Sequence, residues 1–278
     1  MKTRFFNLLI YAINFTSSEH RFHRLSVGAF HRKHLLGSTR DKLVIRERLI
    51  SFLSLIQNSD LQTNELKRFG SDNDGGYVIY SIIDKETSVI SCGIGNNASF
   101  DFQISTEVKD VYMYDHTIAN VKDLNSNMHF FKVGVDSESR DTYVSIPDII
   151  GKNKIQKSIL KIDVEGMEWK IFDSLEAHVL NKFDQIIVEF HNLFEITSLE
   201  KSKLYFRVFS KLASHFSIIN VHPNNWSESR ILCGVPFADT LELTFLNKNI
   251  KLVNNRRMLN LDMPNNPLEP DFFLFSTY

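Results

Sequence analysis

The sequence predicts an α/β protein with a mainly parallel sheet. Three observations carry that expectation. Short runs rich in Val, Ile, Phe and Tyr recur from about residue 65, with helical or polar stretches between them. Glycine and proline are few, 11 and 6 in 278 residues, so regular structure is expected over most of the chain. One apolar run leads into a glycine-rich turn, the arrangement that opens a nucleotide-binding βα unit.

The N-terminus has Lys2 and Arg4 ahead of an apolar stretch from Phe5 to Phe15. It resembles a signal peptide in outline, but Asn7 and Asn14 interrupt it and no small-x-small site follows. It is shorter than the roughly 20 residues a membrane-spanning helix needs, so an amphipathic or capping helix is expected. No transmembrane segment is expected elsewhere. Leu43, Ile45, Leu49, Ile50, Leu53 and Ile56 have helical spacing, and residues 1–60 read as a helical N-terminal extension. The basic stretch HRKHLLGSTRDK within it reads as a solvated linker. Residues 61–278 read as one catalytic domain. Its expected strands are 88–92, 111–114, 128–133, 159–164, 185–190, 216–221, 241–246 and 272–276. The last of these are separated by little helical sequence, so an antiparallel hairpin is expected at one edge.

The 32 basic and 33 acidic residues give a net charge of −1, so the chain has no global basic field and no nucleic-acid partner is expected. Cys92 and Cys233 lie in apolar runs and cannot build a disulfide framework. They are expected to be reduced structural thiols, which suits a cytoplasmic location.

Residues 87–101, TSVISCGIGNNASFD, carry Gly93 and Gly95 in a formal G-x-G-x-x-A pattern. Glycine there permits a sharp turn and close approach of a ligand to the backbone, with Asn96 beside it. Asp115 ends the next strand about 20 residues on, where a carboxylate can receive ribose hydroxyls. The loop alone fits NAD, FAD and S-adenosylmethionine. Residues 159–173, ILKIDVEGMEWKIFD, place Asp163, Glu165 and Glu168 where a strand meets a loop, a cluster a dehydrogenase does not need. The next strand ends in Glu189-Phe190-His191, with Glu189 and His191 on one face, and the one after it in His222. In a parallel sheet these polar ends converge on the rim where open α/β sheets bind ligands.

With IDVEGMEW at 162–169, SCGIGNNASFD at 91–101 and RFGSDNDGGYVI at 68–79, the chain resembles the FkbM-type family of S-adenosylmethionine-dependent methyltransferases. The resemblance covers about residues 65–275. It implies a Rossmann-like, seven-stranded class I methyltransferase sheet with a reversed last strand. It also implies methyl transfer to an oxygen of a small hydroxylated acceptor, such as a sugar, nucleotide sugar or glycan precursor. The chain departs from the common D-x-G-x-N form in carrying Ser91-Cys92-Gly93. By this resemblance the segment 68–77 covers the cofactor, with Tyr77 or Arg68 near its methionine end.

The expected cofactor residues are Gly93, Gly95, Asn96, Asp115, Tyr77 and Asp163. The expected catalytic residues are His191, Asp163, Glu189 and His222. His191 and His222 are the candidate bases, because imidazole titrates near neutrality, and His191 is favoured because it shares a strand face with Glu189 on the rim. Asp163 orients the acceptor or binds the cofactor's amino group, and Glu168 does likewise or caps the following helix. A divalent metal is compatible with Asp163, Glu189 and either histidine, but the spacing does not demand one and none is expected. Arg256 and Arg257 are candidates for an anionic substrate, and Trp169 and Trp226 for stacking on a sugar ring or, equally, for packing. The rival readings are an NAD(P)-dependent oxidoreductase using the same loop, disfavoured by the lack of a Tyr-x-x-x-Lys pair, and a non-catalytic scaffold of the same fold.

Overall fold

A computed structural model describes residues 39–57, 65–251 and 261–272. The expected helix at the N-terminus, Arg256, Arg257 and all but the first residue of the strand expected at 272–276 lie outside the described residues. Phe272 itself is not in a strand.

The first element is helix α1 (Thr39–Ile56), which absorbs the last residues of the segment read as a linker. Leu49, Phe52 and Ile56 form its buried stripe, whereas Leu43 and Ile50 of the expected stripe face solvent. Strands β1 (Leu66–Phe69) and β2 (Tyr77–Tyr80) follow as an antiparallel hairpin. The loop that joins them contains Asp74-Gly75-Gly76, residue types that favour a turn.

The central sheet then begins with β3 (Ser88–Cys92), α2 (Ser99–Ile104), β4 (Val111–Tyr114) and β5 (Met128–Phe131). A small parallel pair, β6 (Gly134–Asp136) and β7 (Tyr143–Ser145), leads into α3 (Ile146–Lys152). Ser145 caps that helix by accepting from the Asp148 N–H. Next come β8 (Ser158–Ile162), α4 (Glu168–Ser174), α5 (Ala177–Leu180), β9 (Phe183–Phe190) and α6 (Leu199–His215). Strand β10 (Phe216–Pro223), a separate hairpin of β11 (Ser229–Leu232) and β12 (Val235–Ala238), and β13 (Leu241–Asn247) complete the chain order.

Seven strands form one sheet in the order β10-β13-β9-β8-β3-β4-β5. All pairs from β9 to β5 are parallel. Strand β13 runs against both β9 and β10. No helix connects β10 to β13, so the chain returns in the reverse direction, as expected from the sequence. The reversed strand is inserted between β9 and β10 rather than placed outermost. Strands β3 and β8 are buried along their whole length, which is why they read as continuous apolar runs.

One face of the sheet is covered by the β1–β2 hairpin and α2, through Phe69, Tyr77, Ile79, Phe100 and Ile104. The other core gathers Phe172, Tyr205, Phe209 and Leu212 from α4 and α6, and also Leu49, Phe52 and Ile56 of α1. Phe52 meets Phe209 edge-on at 4.9 Å between ring centroids. Three fully buried side chains at about 1.5–3 kcal/mol each bind α1 to this core. Arg46 adds bonds to the carbonyls of Cys233 and Gly234 at 3.0 Å. The described part of the extension thus shares the core of the sheet. Both cysteines are free, and burial pushes the Cys92 thiol up to about 12. Among the described residues no helix is long and apolar enough to cross a membrane.

Candidate active site

The site lies at the carboxyl ends of β3, β4, β8 and β9 and at the start of β13. Val188 of β9 pairs with Ile162 of β8, so Asp163 falls beside Glu189. Glu189 pairs with Glu242 of β13, and Glu242 with His222 of β10. On the other side the Asp163 N–H donates to the Cys92 carbonyl and the Gly93 N–H to the Tyr114 carbonyl. His222, Glu242, Glu189, Asp163, Gly93 and Asp115 therefore stand in one row across the rim. Laterally adjacent residues of a sheet share a face, so the row's side chains are neighbours although they are distant in sequence.

The glycine end is built from backbone. Gly93 and Gly95 have φ of +76° and +56°. A Cβ on Gly93 would collide with the Asp163 carbonyl oxygen, whereas the same position on Gly95 opens onto empty space. Asn96 is exposed beside it. Asp115 clamps the loop: its Oδ2 accepts from the N–H groups of Ile94 and Gly95 at 2.8 Å. Its Oδ1 accepts from the N–H of Thr117 at 2.7 Å and its hydroxyl at 2.6 Å. Burial alone would raise this carboxyl, but those bonds outweigh it and hold the group below its usual range.

The hairpin loop lies against the glycine loop. Asn97 donates to the Asp74 carbonyl at 2.7 Å, and the Ser71 N–H donates to the Ser99 hydroxyl. Arg68, a candidate for the cofactor's methionine end, instead donates to the carbonyls of Ser71 and Asn73 in its own hairpin. Tyr77 sits at the centre of this cover. It is 5% exposed, and its hydroxyl has no hydrogen-bond partner among the described residues. Burial, then the charges of Asp163, Glu189 and Glu242, raise its pKa well above the ordinary value.

The acidic end is built from side chains. His191 Nδ1 faces Glu168 Oε1 at 3.2 Å. The same oxygen accepts from the N–H groups of Val164 at 2.9 Å and Gly166 at 3.2 Å. Glu168 thus braces the loop that precedes its own helix. His191 Nε2 looks into three carboxylates: Glu189 at 3.4 Å, Glu165 at 3.6 Å and Asp163 at 3.8 Å. Burial would lower the imidazole pKa, but the bonds and charges of Glu168 and Glu189 push it up to about 11. Burial, with the Asp163 charge, pushes Glu189 up to about 8. Asp163 is raised by burial, against the opposing pull of Lys161. One ligand atom each from Asp163, Glu189 and His191 falls within 4.8 Å of the others, so these three could hold a metal ion.

Two of the expected residues lie elsewhere. His222 is brought into the row but not into the His191 cluster. It is nearly fully buried, with Nδ1 at 3.3 Å from Glu242 and Nε2 at 3.2 Å from Asp271. These partners, against the effect of burial, push it up to about 10. Trp169 is buried in the core, stacked on Tyr205, with its indole N–H on the His191 carbonyl at 2.7 Å. Packing, not ligand stacking, is its role, and it fixes the backbone of His191. Trp226 remains 60% exposed.

Sequence reasoning missed Lys161 and Glu242, and placed Asn224 on the rim without a role. Lys161 is buried, donates to the Gly93 carbonyl and lies 3.9 Å from Asp163. A lone lysine in the otherwise apolar run Ile159–Ile162 was its signal. Asn224 donates to Glu189 at 2.6 Å and accepts from the Trp226 N–H at 2.8 Å. Glu242 carried no signal, because only the reversed strand brings it beside Glu189.

The strand order, the glycine loop clamped by Asp115 and the acidic end of β8 define a class I methyltransferase. The family model described as the methyltransferase FkbM domain matches residues 70–226, more than half of the chain. The protein belongs to this FkbM family, and the dinucleotide reading of the glycine loop is set aside. No curated protein matches the chain. Among solved structures, methyltransferase FkbM from Methylobacillus flagellatus KT is 14% identical, with 73% of this chain and 60% of that one covered and a TM-score of 0.44. The 23S rRNA methyltransferase ErmE is 12% identical, with 63% and 66% covered and a TM-score of 0.37. A Streptococcus mutans protein solved in complex with SAH is 12% identical, with 59% and 88% covered and a TM-score of 0.31.

S-adenosylmethionine is the methyl donor of this methyltransferase. The residues present fit it: Gly95 leaves the backbone approachable, and Tyr77 offers a phenol without a partner.

Proposed function

We propose that the protein methylates a hydroxyl of a small polyhydroxylated acceptor, a sugar, nucleotide sugar or glycan precursor. The observation that carries this reading is the convergence of Asp163, Glu189 and His191 at the rim beside the glycine loop. Gly93, Gly95, Asn96, Asp115, Tyr77 and Asp163 would hold the cofactor, which supplies an electrophilic methyl group. Asp115 already accepts four bonds, and the one from the Thr117 hydroxyl is the one a ribose hydroxyl can replace, since that donor rotates away freely.

Carboxylates accept from hydroxyl groups, so Asp163 orients the acceptor and Glu189, raised to about 8, takes up its proton, while His191, raised to about 11, stays protonated beside them. Positioning supplies much of the acceleration, and proton removal adds about 10²–10⁴-fold. His222 lies outside this step and anchors the segment 261–272 through Asp271. Exposed Trp226, tied to Glu189 through Asn224, offers a face to a sugar ring at the mouth of the site.

Calorimetric titration with S-adenosylhomocysteine, with NAD in parallel, tests the cofactor side. A methyl-transfer screen over nucleotide sugars and free sugars then tests the acceptor. Methylation of an amine or of RNA in preference to every hydroxylated acceptor would overturn the reading.

A further inference from the structure

We propose that Asp163, Glu189 and His191 form a divalent-metal site at the acceptor side of the rim, of the Mn²⁺ or Mg²⁺ type. Spacing in sequence gave no reason to expect one; the cross-strand register does. Nε2 of His191 stands 3.4 Å from Glu189 Oε1 and 3.8 Å from Asp163 Oδ1, and one ligand atom of each lies within 4.8 Å of the others. Ligand atoms that share one ion at about 2.0–2.2 Å stand roughly 3–3.6 Å apart. The three groups are thus close to ligand spacing.

The surroundings favour an ion over mutual hydrogen bonding. The Asp163 carboxylate accepts no hydrogen bond among the described residues; its contacts are ion-pair distances of 3.8 Å to His191 and 3.9 Å to Lys161. Glu168 holds the opposite nitrogen of the imidazole and is itself fixed by two backbone N–H groups. A carboxylate behind a histidine in this way aims the free nitrogen at a metal.

An independent observation comes from Glu168. Its side chain is fully buried, and its Oε2 atom has no hydrogen-bond partner among the described residues. Its Oε1 atom stands 3.2 Å from His191, so this buried charge borders the cluster. A buried carboxylate oxygen left unpaired is costly unless a nearby positive charge offsets it. A hard cation with its remaining positions filled by water or by acceptor oxygens does so. Two carboxylates and one imidazole suit Mn²⁺ or Mg²⁺. Such an ion would bind the acceptor hydroxyl and lower its pKa. That role rests on the methyltransferase reading, but the site itself can be tested without any acceptor.

The full chain is titrated with Mn²⁺ and with Mg²⁺ by calorimetry, with Mn²⁺ uptake followed by electron paramagnetic resonance. S-adenosylhomocysteine binding is measured on the same preparation. The expected result is one Mn²⁺ per chain. Glu189→Gln and His191→Asn should each weaken it at least tenfold, with circular dichroism unchanged, while Glu200→Gln on the exposed face of α6 leaves it intact. Uptake of Mn²⁺ without S-adenosylhomocysteine binding would support the metal site and overturn the methyltransferase reading instead. Wild-type protein that binds S-adenosylhomocysteine but neither ion would overturn the proposal, as would variants that bind Mn²⁺ as the wild type does.

Discussion

The two ends of the polar row are built from opposite materials. At the glycine end, positive-φ glycines and backbone N–H groups make the site, and a single carboxylate, Asp115, clamps them. At the acidic end, side chains from β8, β9 and β13 make it, and the backbone only holds them in register. A backbone-built site tolerates almost no substitution at its turns, because steric conflict moves the chain itself. A site built from side chains can lose one functional group while the fold survives. Binding and turnover should therefore separate between the two ends.

The sharpest way to break this comparison is Gly93→Ala. The new Cβ would meet the Asp163 carbonyl at a left-handed φ, so a loss of more than about 2 kcal/mol in stability and no S-adenosylhomocysteine binding are expected. Gly95→Ala has only the dihedral cost, about 1–2 kcal/mol, because its side-chain position is open. Denaturant midpoints for the pair check this, and equal losses would refute it.

At the acidic end, Glu189→Gln should reduce turnover by about 10²–10⁴-fold with a near-native melting temperature and retained S-adenosylhomocysteine binding. Single-turnover kinetics beside calorimetry separates the two effects. A variant with full turnover would remove Glu189 from the chemistry.

A smaller effect is expected from Asp115→Ala. It leaves the Ile94 and Gly95 N–H groups without their acceptor, at a cost of about 1–3 kcal/mol at buried Ile94 and little at exposed Gly95, where water replaces it. Cofactor affinity should fall with stability, unlike the Glu189 variant. Unchanged affinity would show that the clamp is not part of the cofactor site.

The smallest effect concerns His222, beyond the acidic end. Its folded pKa, raised to about 10 by Asp271 and Glu242, lies above the unfolded value of about 6.5. The stabilisation is therefore complete below about pH 6.5 and is lost as pH rises through about 10. Amide exchange in residues 261–272 should accelerate across that interval after correction for intrinsic rates, and His222→Gln should abolish the pH dependence. The same dependence in the variant would place its origin elsewhere.

How far the sequence reached can be judged from particular residues. Strands β3 and β4 were legible to the residue, since buried parallel strands are uniform apolar runs with sharp polar ends. Gly93, Gly95 and Asp115 were legible because their chemistry is local: a turn that only glycine adopts, and a carboxylate at the end of the neighbouring strand. The Glu189–His191 pair followed from strand alternation. For Trp169 the sequence left stacking and packing open, because exposure is not a property of local sequence; its burial settles on packing. What the sequence determined by itself was the parallel α/β class, the glycine turn and the family. The tertiary structure alone decided that Glu242 stands beside Glu189, that Lys161 reaches Gly93, and that His222 meets Glu242 and Asp271. Each of these depends on how strands distant in sequence are paired, and pairing is fixed by packing over the whole sheet, not by the residues that end up side by side.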